Sequence, residues 1–286
     1  MATIGVQAMM LKESFADIGP FETLRKVAEI GYRAVEVSQI PMDEANVREL
    51  ERSRGELGIE FAALSAQLDG EPGATPYALA VDVERAASHC ARLGTDMLRI
   101  GMLPMSELRS EDRVVDYARR VEKAALALAD HGITLYYHNH HVDFAKMGGR
   151  YVMDILAEEA PSMGLEVDVH WVQRGGLDPV RTLAKYAGRT AMVHLKDYRI
   201  GALPEEGIAA YESGDSASFQ GYFKDVVQFA EVGEGNLDFA AIVPAAIDAG
   251  ARYLLVEQDL LYGRTVFEAL TTSHDNLVAL GFGDLF

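Results

Sequence analysis

The stretch EIGYRAVEVS, residues 29–38, carries the pattern that decides the fold. A helical segment ends, Gly31 follows, and a short apolar strand begins within a residue or two. The unit returns as ELGIEFAALS (56–65), RLGTDMLRIG (92–101), DHGITLYYHN (130–139), PSMGLEVDVH (161–170), YAGRTAMVHL (186–195) and DAGARYLLVE (248–257). A glycine just past a helix end takes the left-handed conformation without a Cβ penalty. Gly31, Gly58, Gly94, Gly132, Gly164, Gly188 and Gly250 are therefore each expected to cap a helix. The segments before them have helical periodicity. Leu24, Val27, Ala28 and Gly31 share one helix face, as do Val114, Ala118, Val121 and Ala125.

Seven such units, plus an N-terminal strand around Ile4 to Gln7, make eight strands that alternate with helices. That order means a parallel sheet. A doubly wound open sheet would carry a G-x-G-x-x-G turn after its first strand, and none is there. The expected fold is α/β, a (β/α)8 TIM barrel in one domain spanning 1–286. The spacing between glycines is uneven at one place only. Between Gly188 and Gly250 it is about twice the usual, and a long loop is expected at about 198–235, after strand seven. It contains ALPEEG and YESGDSASFQGYF. Segments that follow barrel strands lie on the catalytic face, so this one is a candidate lid.

Composition narrows the function classes. A net charge of −18, with 26 scattered Lys and Arg, opposes nucleic-acid binding. Cys90 is the only cysteine, which excludes an internal disulfide and suits a reducing cytoplasm. No apolar run has the length of a membrane span, and the N-terminus does not read as a signal peptide. A homo-oligomer is compatible with the acidic surface and the long insertion.

Strands buried on both faces should be apolar throughout. The last four break that rule near their C-terminal ends. They read TLYYHNH (134–140), LEVDVHW (165–171), AMVHLKD (191–197) and YLLVEQD (253–259), and strand two adds Glu36. Alternation places His138 with His140 on one strand face, and Glu166 with Asp168 and His170 on another. A charge facing the helices would be buried in hydrocarbon, so the barrel mouth is the cheaper place. There Asp168, His194 and Glu257 can converge on one cation. Mixed nitrogen and oxygen donors suit Mn²⁺, Zn²⁺, Co²⁺ or Fe²⁺ better than Ca²⁺. Arg99 is either a ligand for a substrate oxygen or the partner of Glu36. Trp171 either stacks on a sugar ring or closes the barrel top. Asn236 or Asp238, in VGEGNLDF (232–239), is a candidate helix N-cap.

LYYHNHHVDF, LEVDVHWVQRGGLDP, VHLKD, VGEGNLDF and LLVEQD together resemble the sugar phosphate isomerase/epimerase group of xylose isomerase-like TIM barrels, with its ketose 3-epimerases and inosose dehydratases. The resemblance implies one divalent metal, most often Mn²⁺ with Mg²⁺ among the alternatives, held by Glu, Asp, His and Glu from strands five to eight. Carried over, these are Asp168, His194 and Glu257, with His138 where the fifth-strand Glu would stand. It further implies a small carbohydrate substrate and proton removal next to a carbonyl. Glu257 is then the base and His138 or His140 the second acid/base. Lys196, in HLKD, either binds or polarises a substrate oxygen or pairs with a strand-end carboxylate. Glu36, Arg99, His170, Trp171 and Gln258 are the expected substrate-binding residues. The leading expectation is a keto-sugar isomerase or epimerase. The alternative is a lyase or dehydratase on a keto-sugar or 3-keto-glycoside, because a His in place of a carboxylate adds a general acid for a leaving group. A third reading is a non-enzymatic sugar-binding barrel. A DNA-repair endonuclease fits the acidic charge poorly.

Overall fold

The computed structural model describes residues 2–71, 73 and 76–286. Eight parallel strands close on themselves. They are β1 (Thr3–Gln7), β2 (Ala34–Val37), β3 (Glu60–Gln67), β4 (Met97–Ile100), β5 (Thr134–His138), β6 (Gly164–Asp168), β7 (Thr190–Leu195) and β8 (Tyr253–Val256). Each pairs with its sequence neighbour, and β1 with β8 completes the ring. The principal helices between and after them are α1 (Pro20–Ile30), α2 (Glu44–Leu57), α3 (Val83–Leu93), α4 (Glu111–Ala129), α5 (Val152–Glu159), α6 (Pro179–Lys185), α7 (Phe239–Ala249) and α8 (Val266–Leu277). This is the closed (β/α)8 barrel that the repeated unit implies.

Helix starts follow the local chemistry of the chain. Asp43, Ser110, Asp178 and Asp238 each accept a backbone N–H as N-caps, and Thr265 with Glu268 forms a capping box on α8. Of the two caps considered for α7, Asp238 is the one used; Asn236 instead accepts from the N–H of Ile200. Gly58 and Gly94 end their helices in the left-handed conformation, with φ of 69° and 72°.

Gly164 departs from the expected pattern. It opens β6 rather than capping α5, which ends before Ala160 and Pro161. A Cβ there would run into the ring of Tyr136 on the adjacent strand. Its glycine is required by close approach, not by a positive φ. Two strand assignments also shorten. β5 stops at His138 and β6 at Asp168, so His140 and His170 do not continue those strand faces. His140 precedes a 3-10 turn (His141–Phe144), and His170 and Trp171 lie in a one-and-a-half-turn helix, Val169–Arg174. The cause is Asp168 itself, whose Oδ1 accepts from the Trp171 N–H and so starts the helix.

The expected long loop is mostly regular structure. Asp197–Ile200 and Val227–Ala230 form an antiparallel pair, and helices Glu205–Ser213 and Ser216–Asp225 sit between them.

Period-two alternation sorts the barrel into two environments. Ile4, Val6, Val35, Leu98, Leu135, Tyr137, Leu165, Val167, Val193, Leu195 and Leu254 join the main apolar core with the helices. Inside the barrel a smaller cluster, including Ala63, Met97, Tyr136, Met192 and Leu255, forms a plug. Two residues further along the same strands stand Ser65, Arg99, His138, His194 and Glu257. The C-terminal end of the interior is polar because the chain changes residue type there without changing alternation.

The two kinds of glycine give opposite outcomes when replaced. Gly164→Ala should destabilise by about 1–3 kcal/mol through overpacking against Tyr136. Gly55→Ala, in α2 with open space around it, should stabilise by about 0.5–1 kcal/mol. Urea unfolding midpoints of the two variants check both signs.

Candidate functional site

His138, Asp168, His194 and Glu257 meet at the barrel mouth. One potential ligand atom from each lies within 4.8 Å of all the others, and all four residues are buried. Asp168 Oδ2 is 3.5 Å from His138 Nε2 and 3.8 Å from His194 Nδ1. His194 Nδ1 lies 2.7 Å from Glu257 Oε2. Backbone anchors fix the orientation of two of these groups. His138 Nδ1 sits 3.1 Å from the Gly101 carbonyl, which can only accept, so the proton is on Nδ1 and the lone pair on Nε2. Asp168 spends Oδ1 on the Trp171 N–H.

That leaves His138 Nε2 and Asp168 Oδ2 buried, facing each other and without a hydrogen bond. Two unpaired acceptors in contact are unfavourable, at about 1–3 kcal/mol each. A cation between them removes the penalty. The N2O2 donor set fits a divalent transition metal, with Mn²⁺, Zn²⁺, Co²⁺ and Fe²⁺ all compatible.

The carboxylates are held ionised against their burial. Burial raises Asp168, and the Lys196 ammonium is the largest of the influences that bring it down to about 2. Burial likewise raises Glu257, and Lys196 and His194 bring it well below the carboxylate range. Lys196 Nζ makes ion pairs with Glu257 at 3.1 Å and Asp259 at 3.0 Å, and lies 3.6 Å from Asp168. Burial lowers the Lys196 ammonium, but Glu257, Asp168 and Asp259 raise it further, so it stays charged. His140 is pushed down to about 3, chiefly by burial, so it is a neutral imidazole at pH 7.

A cavity of about 470 Å³ opens on this cluster. Of the expected site residues, His138, His140, Lys196, Glu257 and Arg99 line it. Asp168, His194, Glu36, His170, Trp171 and Gln258 do not. Glu36 has no exposed surface and is engaged by Arg99 Nε at 2.5 Å and His194 Nε2 at 2.7 Å. Arg99 is thus the partner of Glu36, the second of its two sequence readings. Gln258 turns away to donate to the Leu260 carbonyl. His170 is packed among Trp171, Tyr198 and Phe229, with ring centroids 4.7–5.3 Å away, and burial lowers it to about 4. Tyr198 and Phe229 come from the antiparallel pair of the insertion, so that segment buttresses the wall behind Trp171. The opposite side of the cavity, from β1 to β4, is lined by Gln7, Ser38, Gln39, Ser65 and Gln67.

Several contributors escaped sequence reasoning. Asn139, inside YHNH, exchanges hydrogen bonds with the Asp168 backbone, accepting from its N–H at 3.0 Å and donating to its carbonyl at 3.3 Å. It latches β5 to β6 at the level of the cluster. Asp143, buried and raised to about 7 by that burial, accepts from the His140 N–H at 2.7 Å and from the Tyr137 hydroxyl at 3.1 Å. Asp259 was visible in LLVEQD as a strand-end carboxylate and serves as a cavity-lining partner of Lys196. Asp197 gathers the N–H groups of Tyr198, Gly233, Gly235 and Leu237 at 2.8–3.2 Å. The Asp of VHLKD is therefore the anchor of the VGEGNL turn. A side chain at Gly235 would collide with that carboxylate.

The profile of the family described as Xylose isomerase-like TIM barrel matches residues 24–260. The chain belongs to that family. No curated protein matches it in sequence. Among solved structures of this xylose isomerase-like barrel, a sugar phosphate isomerase/epimerase from Parabacteroides distasonis superposes with a TM-score of 0.74 at 18% identity, covering 99% of this chain and 96% of that one. An L-ribulose 3-epimerase gives 0.67 at 18% identity, over 100% and 96%. A probable 3-DHS dehydratase from Bacillus anthracis gives 0.66 at 16%, over 97% and 99%. These likenesses establish the fold. Among the described residues no helix is long and apolar enough to cross a membrane.

Replacing Asp197 by Asn substitutes a donor for one acceptor among four converging N–H groups. The expected loss is about 1–3 kcal/mol, read as a fall in Tm of about 2–4 °C per kcal/mol by differential scanning fluorimetry.

Proposed function

We propose that this xylose isomerase-like barrel is a divalent-metal-dependent isomerase or epimerase acting on an uncharged keto-sugar or related polyol. One observation carries the reading. Two buried acceptors without a hydrogen bond, His138 Nε2 and Asp168 Oδ2, stand beside His194 and Glu257, and His138 and Glu257 line a cavity. His138, Asp168, His194 and Glu257 would hold the metal, and Mn²⁺ is the leading candidate. When bound, such a cation supplies Lewis-acid stabilisation of the oxyanion that develops as a proton leaves the carbon next to a carbonyl.

The chain's own residues divide the remaining work. Glu257, ionised and lining the cavity, accepts the proton. His140, a neutral imidazole on the same cavity wall, is the second acid/base group. Lys196 stays cationic and holds a substrate oxygen as charge builds on it. Return of the proton to the neighbouring carbon isomerises the sugar; return to the opposite face epimerises it. Opposite the cluster, three glutamines and two serines offer neutral hydrogen bonding to hydroxyl groups. Both cations on the described lining, Arg99 and Lys196, are already paired with carboxylates, which favours a substrate without a phosphate.

A second reading, elimination, is favoured by His138. With an imidazole on β5, Glu257 is the single carboxylate in the ligand set that also lines the cavity. The charged Lys196 would then protonate the leaving group.

Mn²⁺ at about 100 times its dissociation constant should stabilise the protein by about 2.7 kcal/mol, and Asp168→Asn should abolish that gain in a thermal shift series. Failure of the unaltered chain to respond to Mn²⁺, Zn²⁺ or Co²⁺ sinks the reading.

Proton NMR of a keto-sugar panel in D₂O separates the two reactions. Deuterium at a carbon next to the carbonyl, with no group lost, indicates isomerisation or epimerisation; release of water or an aglycone indicates elimination. In either case Glu257→Gln should lower kcat by about 10²–10⁴.

A further inference from the structure

Glu36 lies outside the four-residue cluster, yet it touches one of its members, His194, at 2.7 Å. His194 is fully enclosed, and its two nitrogens face opposite ways. Nδ1 faces Glu257 and Asp168, at 2.7 and 3.8 Å. Nε2 faces Glu36 Oε2 at 2.7 Å. We propose that Glu36 is a positioning residue that fixes the His194 ring with Nε2 protonated and Nδ1 turned to the cation. This rests on the metal-centre reading above and assigns Glu36 a place behind the cluster rather than on the substrate.

The geometry around Glu36 is built for that purpose. Its other oxygen is held by Arg99 Nε, and Arg99 Nη2 donates to the Ser38 hydroxyl at 2.9 Å. Arg99 stands on β4 and Glu36 on β2, so the guanidinium must pass over β3. At this level β3 presents Ala63, paired with Glu36, and Ser65, paired with Arg99. Both are small, and the arginine crosses above them. Glu36 is thereby fixed from two sides and cannot rotate away from His194.

Glu166 lies 3.1 Å from the same Nε2, farther than Glu36, and both its oxygens lack a hydrogen bond. One N–H serves one close acceptor, and the shorter, anchored contact is that of Glu36. A carboxylate behind a metal-bound histidine orients the ring and strengthens the ligand; removing such partners weakens metal affinity by about 10–100-fold.

The test uses the full chain and metal ions alone. In Zn²⁺-loaded protein with ¹⁵N-labelled histidine, long-range proton–nitrogen correlation should show His194 ligated through Nδ1 and protonated at Nε2. Ligation through Nε2 overturns the proposal. Glu36→Gln should raise the Mn²⁺ dissociation constant about 10–100-fold, and Glu36→Asp, which keeps the charge and the Arg99 pair, should recover part of that loss. If Glu36→Gln does not fold, Glu36→Asp is compared with the unaltered protein and should bind Mn²⁺ measurably more weakly. A variant whose metal-free Tm falls while its Mn²⁺ affinity stays within about threefold of the original assigns Glu36 to stability alone and overturns the proposal. In that result the metal centre itself stands. Absence of metal binding by the unaltered chain fails the metal-centre reading instead, and is distinguishable on that ground.

Discussion

Everything at the barrel mouth depends on a buried imidazole held between carboxylates. His194 has no exposed surface, with Glu257 against one nitrogen and Glu36 and Glu166 near the other. Isolated, any of these charges would be strongly unfavourable in the interior, and breaking one partner of a buried pair costs about 3–5 kcal/mol. Together they fix one another. Without a bound cation, burial lowers the His194 ring's affinity for protons, but Glu166, Glu36 and Glu257 raise it well above the usual imidazole range, so a metal at Nδ1 would have to displace a proton. The same coupling sets Glu257 and, through Lys196, Asp168. The cluster behaves as one electrostatic object, and no member's charge can be read from its residue type.

The barrel makes this object possible by keeping alternation constant while changing residue type along each strand. Met192 and His194 are two apart on β7, Tyr136 and His138 two apart on β5, and Met97 and Arg99 two apart on β4. The first of each pair fills the apolar plug and the second enters the polar layer. The plug seals one side of the layer and the cavity opens on the other. An interior charge is thus screened from water on one side only, where a substrate would arrive.

Loops supply the rest of the support, through backbone groups more than side chains. Asp197 collects four N–H groups and ties the end of β7 to the turn before α7. Asn139 ties β5 to β6. Asn139 adjoins His138 and Asp197 adjoins Lys196, so their hydrogen bonds are spent on registration of the strand ends. The insertion after β7 adds Tyr198 and Phe229 to the wall around His170 and Trp171.

The sequence by itself determined the repeat, the strand count and the set of polar strand ends. These are local properties: helical periodicity, a breaker and a period-two strand each show within about ten residues of chain. Asp168, His194 and Glu257 were legible for that reason, since a charged residue in a strand buried on both faces needs a common polar destination. Tertiary structure decided what local reading had no means to decide. Gly164 looked like the other glycines but answers to a ring on the neighbouring strand. Arg99 had two readings, a substrate oxygen or Glu36, and the choice fell to Glu36 because β3 presents only Ala63 and Ser65 between them. His170 and Trp171 left the strand because the Asp168 side chain, poised at its end, capped a helix there. In each case the deciding partner lies on another strand or depends on which way a side chain turns, and one-dimensional spacing carries neither.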